Sequence, residues 1–295
     1  MMEFQFGHLR TFLAVVEAGT FEAAAARLHV TPSAVSQRIK AMEQAAGQVL
    51  VRRTAPIQPT PAGKTVLRLA RQVRQLEQDA AVELGTAARP GHPIPVVVNA
   101  DSLATWFVDA LAAVPPELGL TFEVFREDEQ HSAALLRSGD VMAAVTATPG
   151  AVQGCSVTPL GSMTYRAVAA PAFMTRWFPN GFSARAFAAA PVVQFDRTDT
   201  QQSNFFTAVA GTPIGGPQTF IPDTLEFAHA VRAGLGWGLL PDAHCLDDLR
   251  AGRLVELVPG RRSEVPLFWQ RWKLASPALD ALTLAVHATA AAALG

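Results

Sequence analysis

Apolar residues recur at helical spacing at Leu9, Phe12, Leu13 and Val16, and Gly19 then ends the pattern. Thr20 is placed to cap a second helix whose Phe21, Ala24, Ala25 and Leu28 fall on one face. After a break at His29 and Val30, Thr31 and Pro32 supply a cap and a first-position proline for a third helix that runs to about Ala46, with Gly47 at its end. Val49 to Thr54 reads as a short strand, and Pro56 to Thr60 as the hairpin of a wing. Thr60 and Pro61 then start a long helix with Val66, Leu69, Val73, Leu76 and Ala80 at 3, 4, 3, 4 spacing, the seam of a short coiled coil. Such a seam joins two copies of the chain or packs onto its own copy.

The third helix carries the most chemistry. Val35, Ile39 and Met42 point inward, whereas Ser33, Ser36, Gln37 and Lys40 share the other face. Short hydroxyls approach base edges closely, glutamine pairs bidentately with adenine, and lysine neutralises a phosphate. A polar stripe on its own is more often a solvated face; three short helices followed by a wing make it a reader of the DNA major groove. Arg52 and Arg53 on the wing strand suit contacts to the DNA backbone or minor groove, or else hold the following helix by a salt bridge.

The stretch GTAARPGHP, Gly85 to Pro93, breaks the pattern as a linker. From Ile94 onward strands and helices alternate: IPVVVNA, a helix near Leu103 to Val114, LTFEVF, a helix near Ser132 to Ser138, VMAAVT, then PVVQF, FIPD, WGLLP and LVELV. LFWQRWK precedes a final alanine-rich helix that returns the chain to its first lobe. This rhythm predicts an α/β region of two lobes joined by crossing strands, with a ligand cleft at the strand ends. The expected division is 1–64 for the winged helix-turn-helix, 65–90 for a dimerising linker helix and 91–295 for the effector region. Within the last, lobe I takes about 91–162 and 267–295 and lobe II about 163–266.

Composition narrows the function. Hydrophobic residues make up 49% and charged residues 17%, as in a folded chain. The net charge of −1 conceals a basic segment 1–90, with 11 Lys/Arg against 7 Asp/Glu, ahead of an acidic remainder with 13 against 18. That split suits a phosphate-binding module joined to one that meets no phosphate. The start MMEFQFGHLR lacks a signal-peptide pattern, and no uninterrupted apolar run of about 18 residues occurs, so a cytoplasmic protein without a membrane partner is expected. Cys155 and Cys245 are far apart and read as buried small hydrophobes. There is no G-x-S-x-G, no G-x-G-x-x-G between strand and helix and no compact His/Asp/Glu cluster. GLGWG follows a helix and leads into a strand, the reverse of the phosphate-binding order. No enzyme activity, metal or cofactor is therefore expected.

Three loops at the strand ends face the expected cleft. Asn99-Ala100-Asp101-Ser102 opens a helix and offers N–H groups and a hydroxyl to a carboxylate. Glu127, Asp128 and Glu129 follow the second strand, and Asp223-Thr224 follows FIP. Such a cleft complements an amino acid with an extra positive charge, although Asp101 and Asp223 equally suit helix caps.

The segment TFEAAAARLHVTPSAVSQRIKAMEQAAGQVLVRR, with TPAG and a long helix after it, resembles the DNA-binding half of LysR-type transcriptional regulators. The resemblance implies a winged helix-turn-helix, a linker-helix homodimer, a homotetramer, and a two-lobed, periplasmic-binding-protein-like effector domain. It places the DNA contacts on Thr31, Pro32, Ser33, Ser36, Gln37 and Lys40, with the wing at Arg52 and Arg53. Many members have Gln-Pro after the cap and Arg after the second serine, where this chain has Pro32-Ser33 and Gln37, which leaves the operator sequence open. NADSLATWF, EDEQHSAALLRSGDVMAAVT, RAGLGWGLLP and PLFWQRWKL are similar to the lysine- and arginine-responsive LysG/ArgP branch. That likeness implies L-lysine or L-arginine as effector, control of an amino acid exporter gene, and effector contacts at Asp101, Ser102, Glu127, Asp128, Thr146 and Asp223. The expected partners are double-stranded DNA, the effector, further copies of the chain and RNA polymerase. An architectural DNA-binding protein that acts without ligand, or a regulator with another effector, are the alternatives; a solute-binding protein is disfavoured by the first ninety residues.

Overall fold

The computed structural model describes residues 4–86, 93–127, 129–181, 183–211 and 214–294. Helices α1 (Phe6–Ala18), α2 (Phe21–Leu28) and α3 (Pro32–Ala46) come first, then the two short strands β1 (Val51–Arg52) and β2 (Gln58–Pro59), then the long helix α4 (Pro61–Glu83). Each N-terminus follows its cap: the hydroxyls of Thr20, Thr31 and Thr60 accept from the backbone N–H groups of Ala23, Ala34 and Gly63. Phe12, Val15, Ala24, Val35, Ile39, Met42, Leu50 and Val66 form one apolar core. The wing strand is shorter than Val49 to Thr54: only Val51 and Arg52 pair with β2, and the N–H of Leu50 donates to Glu43 near the end of α3 instead. Gly63 has a packing reason: a Cβ there would lie 1.9 Å from the carbonyl oxygen of Leu50.

The expected seam of α4 divides in two. Val66 is buried and Val73 partly so in the helix-turn-helix core, whereas Leu69 and Leu76 are 39% and 43% exposed. Most of the expected linker, residues 87–92, lies outside the described residues.

The remainder runs β3 (Ile94–Val98), α5 (Ala100–Ser102), a π-helical turn (Leu103–Phe107), α6 (Val108–Ala112), β4 (Phe122–Arg126), α7 (Glu129–Ser138), β5 (Ala143–Thr146) and β6 (Cys155–Ala169). It continues with α8 (Pro171–Trp177), α9 (Ala184–Ala189), β7 (Val192–Gln194), α10 (Gln201–Ala210), β8 (Gln218–Phe220), α11 (Thr224–Arg232) and β9 (Gly238–Pro241). The last elements are α12 (Asp242–Arg250), β10 (Val255–Glu256), β11 (Arg262–Trp272) and α13 (Pro277–Leu294). The helix expected from Leu103 begins at Ala100 instead, because the Asn99 side chain caps it by accepting from the N–H of Ser102.

Two compact units result. Unit 1 comprises residues 1–98, 111–158 and 269–285, and unit 2 comprises 99–110, 159–268 and 286–295. In unit 1, β3 lies between β4 and β5 and runs parallel to both. Val96, Val97 and Val98 are buried without alternation, as in a sheet covered on both faces. In unit 2, β9 and β10 pair antiparallel with β6, and β7 pairs parallel with β8. Its core is aromatic: the Phe187 ring lies 4.4 Å from Phe206 and 4.7 Å from Trp237, centroid to centroid.

Candidate functional site

The polar surface expected to read DNA is built by α3. Val35, Ile39 and Met42 fix its inner face at no more than 1% exposure, so Ser33, Gln37 and Lys40 stand outward and Ser36 is half-buried between them. Thr31 caps the helix through its hydroxyl and lies 2.9 Å from the Ser33 hydroxyl, with Pro32 in the first turn. The N–H groups of the first turn and these short side chains are presented together, as direct readout requires. Arg38, on the neighbouring flank, is used internally and donates to the Thr11 hydroxyl at 3.1 Å. On the wing, Arg52 and Arg53 are exposed, and the Arg53 guanidinium sits 5.8 Å from the centre of the Phe21 ring.

A second polar site lies in unit 2. Asp101 Oδ2 accepts from the Tyr165 hydroxyl at 2.7 Å and Asp101 Oδ1 from the Thr224 hydroxyl at 3.0 Å. Asp223 caps α11 by accepting from the N–H groups of Leu225 and Glu226, and so orients Thr224 next to it. Burial, and beyond it the charge and hydrogen bond of Asp101, push the Tyr165 phenol well above its ordinary value. Asp199 belongs to the same neighbourhood: burial raises its carboxyl, and the nearby charge of Asp101 adds to the shift. Among the described residues neither Asp101 nor Asp199 forms an ion pair. Asp242 and Glu256, by contrast, both grip Arg166, the first at 2.7 Å. Buried polar atoms without a hydrogen-bond partner among the described residues include Ser102 Oγ, Gln194 Oε1, Gln201 Nε2 and Gln202 Oε1, all in this unit.

The remaining expected contacts are placed as follows. The Ser102 N–H is already taken by Asn99 Oδ1 at 2.8 Å, and its hydroxyl is fully buried. Glu127 is exposed in unit 1, at the end of β4. Thr146, also in unit 1, is 3% exposed; its hydroxyl accepts from Gln270 at 3.2 Å and donates to the Thr148 carbonyl. Asp128 lies outside the described residues. Sequence reasoning missed Tyr165, Asp199 and Gln201. The long strand that carries Tyr165 has no clean alternation, and nothing local links any of the three to Asp101.

A winged helix-turn-helix joined by a long helix to an α/β region with a polar site defines a DNA-binding regulator. Residues 6–64 match the family model described as bacterial regulatory helix-turn-helix protein, lysR family, and residues 100–291 match the LysR substrate binding domain. The chain belongs to the LysR family of transcriptional regulators, which are DNA-binding proteins and not enzymes. It is 46% identical over 284 residues to the HTH-type transcriptional regulator LysG of Mycobacterium tuberculosis, covering 96% of this chain and 92% of that one. It is 38% identical over 280 residues to the lysine export transcriptional regulatory protein LysG of Corynebacterium glutamicum, covering 94% and 95%. Among solved structures, ArgP from Mycobacterium tuberculosis superposes with a TM-score of 0.90 at 44% identity, covering 96% of each chain. Full-length LysG from Corynebacterium glutamicum with bound effector Arg superposes with a TM-score of 0.86 at 36% identity, covering 99% of each.

Proposed function

We propose that this chain is a cytoplasmic regulator whose DNA binding is set by a basic amino acid, L-arginine or L-lysine, and that it controls an amino acid exporter gene. The observation that carries this reading is Asp101, held in unit 2 between the hydroxyls of Tyr165 and Thr224 with Asp199 near enough to feel its charge; among the described residues no cationic side chain forms an ion pair with either carboxylate. A guanidinium or ammonium group supplies the missing charge. One relative, LysG of Corynebacterium glutamicum, points the same way: it is named a lysine export regulator, and its full-length structure holds arginine as effector. Asp101, Ser102, Glu127, Asp128, Thr146 and Asp223 are proposed as effector contacts or as their immediate supports, with Tyr165, Asp199 and Gln201 added.

Thr31, Pro32, Ser33, Ser36, Gln37 and Lys40 are proposed to read the operator, with Arg52 and Arg53 on its backbone. The outward Leu69 and Leu76 of α4 are proposed as the seam of a homodimer, which pairs further into a homotetramer and meets RNA polymerase at the promoter. The experiment is calorimetric titration with L-arginine, L-lysine and L-norleucine. The basic pair should bind and norleucine should not, since it leaves the acids unpaired. Equal binding of norleucine contradicts the assignment.

A further inference from the structure

Within unit 1 two groups of charged contacts meet α4 one turn apart, one from the helix-turn-helix and one from the α/β region. Arg27 of α2 and Arg74 of α4 both hold Glu17 of α1, at 2.8 and 2.7 Å. One turn earlier on α4, Arg71 donates to Asp140 Oδ1 at 2.7 Å, and the other oxygen of Asp140 accepts from the Ser138 hydroxyl. The Arg71 side chain is 17% exposed and that of Asp140 39%, so the pair is shielded on the arginine side and open to solvent on the other.

The surroundings of that contact are tight at one point and open elsewhere. Gly139 has φ of +77°, and a Cβ there would lie 2.8 Å from the Cα of Arg68, so the turn presses its backbone directly on α4. Arg68 also donates to the carbonyl of Gln153 at 3.0 Å. Cavities of about 360 and 340 Å³ lie to either side, the first lined by Lys64, Arg68 and Arg137, the second by Glu17, Arg71, Arg74 and Asp140. A contact that combines close packing at Gly139 with a few directional polar bonds, and has open space beside it, can be re-set without disturbing a packed core.

The turn's two neighbours in sequence matter as much. The ten-residue helix α7, about 15 Å long by its rise, starts two positions after Glu127 and ends at Ser138. Strand β5 begins just past Asp140 and ends at Thr146. Both elements leading away from the turn therefore end at or beside residues assigned to the effector.

We propose that Asp140 is the positioning residue through which α7 and β5 set the placement of α4, and with it of the DNA-reading helix. The inference rests on the reading that Glu127 and Thr146 meet the effector. An amino acid that shifts either end of α7 or β5 moves the Ser138–Asp140 turn, Arg71 follows Asp140, and Arg74 carries the displacement to Glu17. Neither Asp140 nor Arg71 touches effector or DNA.

The test uses the full chain and operator DNA, with Kd measured with and without saturating L-arginine, and again with L-lysine. In the unaltered protein the two Kd values should differ by about 5- to 150-fold, the range of allosteric couplings. In Asp140→Asn and in Arg71→Gln that ratio should fall to within about twofold of one, while calorimetric affinity for the amino acid without DNA changes less than about twofold. The charge swap, Arg71→Asp with Asp140→Arg, should recover most of the ratio, which a role in general stability would not produce. Single variants that keep the full ratio overturn the proposal, and so does loss in the singles without recovery in the swap. If the unaltered protein binds neither amino acid, the effector assignment fails separately. Hydrogen exchange of the ligand-free protein then decides for Asp140: Asp140→Asn should speed exchange across Arg68 to Arg74 by about tenfold through local opening, and unchanged exchange there overturns the proposal.

Discussion

The hydroxyl of Tyr165, in the middle of β6, donates to Asp101 at the start of the helix after β3, 64 positions earlier in the chain, at 2.7 Å. Tyr165 is 4% exposed, so water does not replace the carboxylate as its partner. Tyr165→Phe keeps the ring and removes the donor. A hydrogen bond to a charged group contributes about 1.5 to 3 kcal/mol, and the variant should lose about that much stability in urea denaturation with an unchanged m-value. A loss below about 0.5 kcal/mol, the size of an ordinary surface change, would show that Asp101 does not depend on this partner.

Asp199 should make effector binding depend on pH. Burial, together with the charge of Asp101, raises its carboxyl above the ordinary Asp range. A raised acid favours its protonated form in the folded chain: the stability it adds is present below the unfolded value and is lost as pH rises through the folded value. A cation placed beside it favours the carboxylate instead, so binding of L-arginine should release protons and strengthen as pH rises through that raised range. Calorimetry in two buffers of different ionisation enthalpy measures the proton release. Asp199→Asn should abolish it, and an Asn variant with the same release would place the titrating group elsewhere.

Glu17 gives the opposite sign. Burial alone would raise its carboxyl, but Arg74 and Arg27 outweigh that and hold it below the ordinary Glu range. Its contribution is therefore present above the unfolded value and lost as pH falls through the lowered folded value. Glu17→Gln should cost about 1 kcal/mol near neutrality, at the upper end for a partly exposed pair, and the difference should vanish in acid. Thermal melts of both proteins across that range check it; a gap that persists at the acid end would mean that packing, not charge, is lost.

On α3, Gln37→Ala should weaken specific operator binding by about 1 to 3 kcal/mol, the worth of one bidentate base contact, with little change on random DNA. Arg53→Ala should instead lower the salt slope by about 0.9, as one lost phosphate contact does. Part of Arg53 is already engaged with the Phe21 ring, so a slope change nearer to zero for Arg53 than for Arg52 would assign the phosphate contact to Arg52. Binding isotherms at several salt concentrations separate the two effects.

The first eighty residues were legible because their signals are local. Thr20, Thr31 and Thr60 cap helices three residues ahead of their bonded N–H groups, and Phe12, Val35 and Ile39 show the buried face by spacing alone. After Ile94 the short apolar strands β3, β4, β5, β7, β9 and β10 were legible for the same reason, whereas the long strand β6 (Cys155–Ala169) was not, since its sequence lacks a clean alternation. What remained hidden depends on distant pairs. Tyr165 and Thr224 reach Asp101 from 64 and 123 positions away, and Arg71 finds Asp140 69 positions on. The division of the α4 seam was hidden too: Val66 and Leu69 carry equal apolar weight in sequence, and only the fold buries one and exposes the other.

The most direct test of a DNA-binding regulator answering to a basic amino acid is a single set of operator isotherms, recorded without ligand and with saturating L-arginine, L-lysine or L-norleucine. The operator Kd should shift by about fivefold or more with L-arginine or L-lysine, the lower bound of ordinary allosteric coupling, and should stay unchanged with L-norleucine. An operator Kd indifferent to all three, or moved equally by L-norleucine, would contradict it.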